Sequence, residues 1–126
     1  MYLITKTFHF EAAHRLADWP EDHQCHRLHG HSYQLTVAIS GHNLSPPPKQ
    51  GVLLDYGDIS KMVKKHIVDV YDHQYLNDLL DTRNVTAEFL AKHIFQILES
   101  MIPHLKYIEV RETENSSALY LPGDTI

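Results

Sequence analysis

An α+β domain, with an antiparallel sheet covered on one face by two helices, is predicted by three observations. Two N-terminal segments alternate apolar and polar residues with period two. Two central segments carry apolar residues at helical spacing, and two short alternating runs close the chain. The 126 residues give room for one domain, taken as 1–126, with a core that needs no covalent staples.

The first strand runs from Tyr2 to His14. Its even positions, Tyr2, Ile4, Phe8, Phe10, Ala12 and His14, form an apolar face that only Lys6 interrupts. ADWPEDHQCHR, with Pro20 and a charge cluster, reads as a loop. In the second strand His29, His31, Tyr33, Leu35, Val37 and Ile39 share one face, while Gly30, Ser32, Gln34, Thr36, Ala38 and Ser40 share the other. Three consecutive prolines in GHNLSPPPKQG cannot continue a ladder, so a turn is expected there. The run VLLD (52–55) is expected to return as a third strand and make a meander.

Helix one should start at Asp58 as N-cap, with Ile59, Met62, Val63, His66, Ile67 and Val70 as its stripe. Helix two should start near Thr86, with Glu88 in its first turn, Leu90, Ile94, Ile97 and Met101 as its stripe, and Pro103 at its end. Ile108 and Val110 then share a strand face with Glu112, ETENSS turns, and ALYL returns.

Hydrophobic residues at 43% and charged residues at 21% exclude a disordered chain. No apolar run approaches the ~20 residues of a membrane span, and the first residues lack a basic stretch leading into an apolar one. No membrane partner is expected. A net charge of −5 argues against nucleic acid as a partner. One cysteine allows no internal disulfide, and the cytoplasm is the expected compartment.

Histidine is the conspicuous residue: eleven in all, five of them between His14 and His31. His29 and His31, two apart on a strand, project side by side from the apolar face. His14 ends the apolar face of the first strand, so pairing of the two strands would bring three imidazoles together. Buried imidazoles need partners, and three that share a metal leave an open coordination position, as catalytic zinc does. The bland alternative is three strand-end histidines, each hydrogen-bonded by itself.

Cys25 can be an incidental thiol, a fourth metal ligand, or a nucleophile or base, and its spacing does not choose among them. Asp72-His73 is either a carboxylate-oriented acid–base imidazole or a solvated helix end. Glu112 continues an apolar face without a basic neighbour. It either ends the strand in solvent or awaits a ligand with adjacent amino and ring N–H groups, such as a pterin or guanine.

Taken together, FEAAHRL, C-x-RLHGHSY, DHQYLND, TAEFLAKHI and V-x-ET resemble the 6-pyruvoyltetrahydropterin synthase / 6-carboxy-tetrahydropterin synthase family, in order from Phe8 to about Tyr120. The resemblance implies the tunnelling fold or T-fold, a four-stranded antiparallel sheet with two helices on one side. Trimers of that fold close into a barrel and commonly stack in pairs, with the active site between subunits. It implies Zn2+ on His14, His29 and His31, Cys25 as the catalytic thiol, and Asp72 with His73 as the second proton-transfer group. Glu112 would anchor the pterin ring, Thr86 would add a contact, and Arg27 would meet the triphosphate.

The implied substrate is 7,8-dihydroneopterin triphosphate. C-x-RLHGHSY resembles the branch that releases acetaldehyde and forms 6-carboxy-tetrahydropterin for queuosine. ETENSS resembles the ETDN of the biopterin branch, which makes 6-pyruvoyltetrahydropterin, the alternative product. A non-catalytic zinc- or pterin-binding module is the reading from another class. A zinc hydrolase ranks last, because Glu11 points away from His14.

Overall fold

In the computed structural model, which describes residues 1–123, two long strands open the chain, β1 (Tyr2–His14) and β2 (His29–Gly41). The last three positions of the domain expected over 1–126 lie outside the described residues. After β2 come α1 (Tyr56–Val63), a π-helical turn (Lys64–Val68), α2 (Asp69–Tyr71), β3 (Gln74–Tyr75) and α3 (Leu76–Leu79). Then follow α4 (Ala87–Leu98), β4 (Leu105–Thr113) and β5 (Ser116–Tyr120).

The sheet order is β3-β1-β2-β4-β5. The four long strands are antiparallel neighbours, and β3 adds a two-residue parallel contact to the outer edge of β1. The β1–β2 ladder is unbroken from Tyr2 opposite Gly41 to His14 opposite His29. This is the α+β architecture expected, an open sheet with helices on one face.

The period-two alternation decides which face that is. Phe8, Phe10 and Ala12 of β1, Tyr33, Leu35, Val37 and Ile39 of β2, and Ile108 and Val110 of β4 are all buried. They join Ile59, Val63, Ile67 and Tyr71 from the first helical segment and Leu90, Ala91, Ile94, Phe95 and Leu98 from α4 in one core. Each large apolar side chain among them contributes ~1.5–3 kcal/mol when removed from water. The opposite face is polar: the hydroxyls of Thr7 and Thr36 lie 3.2 Å apart, and Ser32 Oγ donates to Glu11 Oε2 at 2.6 Å.

Three local expectations are corrected. VLLD forms no strand, because β1 and β4 occupy both edges of β2 and leave it no ladder to join. Instead the loop closes on itself, with Ser45 N–H donating to the Val52 carbonyl at 2.8 Å. The N-cap of α1 is Asp55, not Asp58: Asp55 Oδ1 accepts the Gly57 N–H at 2.7 Å. Asp58 lies in the first turn and pairs with Lys49 at 3.0 Å.

The third correction concerns Val70, which is exposed while Tyr71 is buried. Buried residues recur every four positions at 59, 63, 67 and 71, which drifts off one face of a regular helix. The wider π turn at Lys64–Val68 restores the phase and passes over Val70. In α4, Thr86 Oγ1 caps the Phe89 N–H at 3.0 Å, as the start near Thr86 predicts. The regular helix stops at Leu98, short of Met101. One more turn, closed by Ile102 N–H to the Leu98 carbonyl at 2.9 Å, leads to Pro103.

Candidate active site

The β1–β2 register brings the three histidines together. His14 and His29 are cross-strand partners, and His31 follows two residues on. Ring centroids lie 4.5 Å apart for His14–His29, 4.9 Å for His14–His31 and 5.0 Å for His29–His31. One nitrogen from each ring falls within 4.8 Å of the others.

Two backbone carbonyls fix the tautomers. His14 Nδ1–H donates to Val85 O and His29 Nδ1–H to Arg27 O, both at 2.6 Å. A carbonyl only accepts, so each Nδ1 carries the proton and each Nε2 keeps its lone pair. Among the described residues, the buried Nε2 atoms of His14 and His31 have no hydrogen-bond partner. Burial, reinforced by the neighbouring imidazoles, pushes His14 down to about 4, and burial also lowers His31. Carbonyl bonds behind His14 and His29, and the unpaired Nε2 atoms of His14 and His31, make a donor set that fits a divalent transition metal.

These imidazoles line a cavity of about 910 Å3. Cys25 reaches it from the short 3-10 turn Gln24–His26. Its backbone is tied on both sides: Cys25 N–H donates to His23 Nδ1 at 3.0 Å, and its carbonyl accepts the Leu16 N–H at 2.8 Å. Glu112 enters from β4, with Oε2 3.6 Å from His31 Nε2. Burial raises its carboxyl pKa, an effect opposed by His29 and aided by Glu88. Thr86 lines the same cavity. The Arg27 side chain is exposed, and its backbone carbonyl is what touches the site, through His29.

Asp72 and His73 lie elsewhere. Asp72 Oδ1 accepts the Glu11 N–H and Oδ2 accepts His73 Nδ1–H, each at 2.8 Å. The Glu11 amide, and after it His73, holds the Asp72 carboxyl below the usual range. His73 takes left-handed backbone (φ 60°), and its side chain is 79% exposed. It lines a second cavity of about 410 Å3 with Glu11, Gly30, His31, Ser32 and Gln74. Within one chain His73 and Cys25 therefore line different cavities, with His31 lining both.

Trp19 and Leu16, not singled out by the sequence, also line the larger cavity, Glu88 lines it besides opening its helix, and the Val85 carbonyl stands behind His14. The one tryptophan of the chain, set in the polar loop ADWPEDHQCHR, was the available signal for Trp19. A backbone carbonyl leaves no signal in residue identity.

Among the described residues no helix is long and apolar enough to cross a membrane. The model of a family described as 6-pyruvoyl tetrahydropterin synthase matches residues 3–122. A 6-carboxy-5,6,7,8-tetrahydropterin synthase from Synechocystis is 37% identical over 126 residues, covering 95% of this chain and 93% of that protein. Its counterpart from Haemophilus influenzae is 39% identical over 119 residues, covering 79% and 83%. The solved 6-pyruvoyl tetrahydropterin synthase of Caenorhabditis elegans has the same fold, with a TM-score of 0.82 at 23% identity over 97% of this chain and 96% of that one. A site of this composition, on this fold, in a sequence matched from Leu3 to Pro122, gives one conclusion: the chain belongs to the 6-pyruvoyl tetrahydropterin synthase family.

Proposed function

We propose that this chain is a zinc-dependent 6-carboxy-5,6,7,8-tetrahydropterin synthase. It is a lyase converting 7,8-dihydroneopterin triphosphate and one water to 6-carboxy-5,6,7,8-tetrahydropterin, acetaldehyde and triphosphate, on the cytoplasmic route to 7-deazaguanine and queuosine. The observation that carries the reading is the meeting of His14, His29, His31, Cys25 and Glu112 in one cavity. The two relatives described above, both named for this activity, support it.

His14, His29 and His31 would hold Zn2+. When bound, the ion supplies Lewis-acid polarisation of the substrate's side-chain hydroxyls. Glu112 accepts from the ring N–H and amino groups of the pterin, Thr86 adds a contact, and Arg27 meets the triphosphate at the rim. Cys25 and the Asp72-oriented His73 move the protons. Since His73 and Cys25 face different cavities in one chain, each Cys25 is served by the His73 of a neighbouring copy, in a homo-oligomer built as a dimer of trimers.

Incubation of zinc-loaded protein with 7,8-dihydroneopterin triphosphate, read by acetaldehyde assay and product mass, tests the reading. Acetaldehyde with a 6-carboxy product is expected. The hairpin after Glu112 favours one alternative, 6-pyruvoyltetrahydropterin synthase. Its ETENSS sequence places Thr113, Ser116 and Ser117 on the cavity wall, with Thr113 Oγ1 bonded to Asn115 at 3.2 Å and Ser116 at 2.7 Å. A 6-pyruvoyl product without acetaldehyde would establish that alternative. Neither product would leave a non-catalytic binding module.

A further inference from the structure

Asn77 is buried in α3 and is not among the residues that line the histidine cavity. Its side chain nonetheless makes three hydrogen bonds. Oδ1 accepts the Arg15 N–H at 2.9 Å, and Nδ2 donates to the Arg15 carbonyl at 2.9 Å and the Arg83 carbonyl at 2.8 Å. Both backbone groups of Arg15 are thus held as a partner strand would hold them, just where β1 ends. The Arg83 carbonyl also accepts the Ala17 N–H at 3.0 Å, and Leu16 and Asn84 form an isolated bridge. Residues 15–17 and 83–85 therefore lie side by side with the Asn77 amide between them.

The two segments joined in this way carry the two halves of one bond. Arg15 follows His14, and Arg83 lies two residues before Val85, whose carbonyl accepts His14 Nδ1–H at 2.6 Å. We propose that Asn77 is a positioning residue for the metal centre, fixing the Val85 carbonyl against His14 and so holding the ring with Nε2 toward the cavity. This rests on the reading of the three histidines as metal ligands. Partners behind a ligating imidazole typically change metal affinity by ~10–100-fold when they are lost. Asn77 acts further back, on the Arg15 and Arg83 backbone groups that flank His14 and its Val85 partner.

Asn77→Asp keeps an acceptor for Arg15 N–H but sets a carboxylate against the Arg15 and Arg83 carbonyls. Zn2+ affinity, measured by competition with a chromophoric chelator, is expected to fall ~10-fold or more while the zinc-free variant still unfolds cooperatively. A folded Asn77→Asp protein with unchanged Zn2+ affinity would overturn the proposal. Hydrogen exchange on the unsubstituted, zinc-free protein supplies a second readout that needs no variant to fold. The His14 Nδ1–H proton should share the protection of the Arg15 amide, and free exchange of His14 beside a protected Arg15 would also overturn it. If the unsubstituted protein bound no Zn2+, the metal reading would fail, while the exchange measurement would still decide what Asn77 holds in place.

Discussion

Glu112 Oε2 stands 3.6 Å from His31 Nε2, so the carboxylate proposed for the pterin ring and an imidazole proposed for the metal share one wall. That separation exceeds a hydrogen bond, and both atoms remain available to ligands. Glu112→Gln keeps the shape and removes the charge. The expected result is a loss of ~10–100-fold in kcat/KM, from a charged hydrogen-bond partner worth ~1.5–3 kcal/mol, with zinc content unchanged. Steady-state kinetics beside metal analysis checks both halves.

His29 and Cys25 line the same cavity but separate cleanly under substitution. His29→Ala should lose zinc and turnover together, because two imidazoles hold the ion poorly. Cys25→Ala should keep zinc and lose ~10²–10⁴-fold in kcat, the usual contribution of a proton-transfer group. Zinc loss in Cys25→Ala would instead make the thiol a fourth ligand and the site a closed one.

The separate placement of Cys25 and His73 gives a mixing test. Cys25→Ala and His73→Ala proteins, each inactive alone, should regain activity when unfolded and refolded together. With random assembly, about a quarter of sites receive a native group from both subunits. Continued inactivity in mixed oligomers would place both groups in one chain's site.

His14 makes the zinc-free protein sensitive to acid. Its pKa is near 4 folded and 6.5 unfolded, so between those values the unfolded chain binds the extra proton. Stability from the neutral ring is complete above about 6.5 and is lost as pH falls toward 4, and His31 shifts the same way. The effect is on the order of a few kcal/mol. Urea midpoints in chelator across this range should fall with acidification, and His14→Phe should flatten the curve.

The two long strands and the histidine faces were legible because period-two alternation fixes which side chains share a face. Once His14 opposed His29, convergence followed. VLLD was misread because its apolar content says nothing about whether a sheet edge is free. Asp55, read as the end of the VLLD strand, carries the same capping signal as Asp58, and only its bond to the Gly57 N–H tells the two apart. Val70 was assigned to the core because a uniform helical period hides a π turn. Asp72 and His73 were legible as a pair, since adjacency and chemistry agree. Which cavity they face depends on the Glu11 amide and a left-handed residue, neither of which residue identity records.

The parity of β1 also bears on how the chain tolerates changes in length. A single inserted residue between Phe8 and His14 would turn every later side chain of the strand over, sending His14 to the polar face. Insertion of two would restore the face but slide His14 past His29. The connection from 42 to 55 joins no ladder and can lengthen or shorten without reaching the histidines. Length variation should therefore gather in that loop, while the stretch from Phe8 to His14 keeps its residue count.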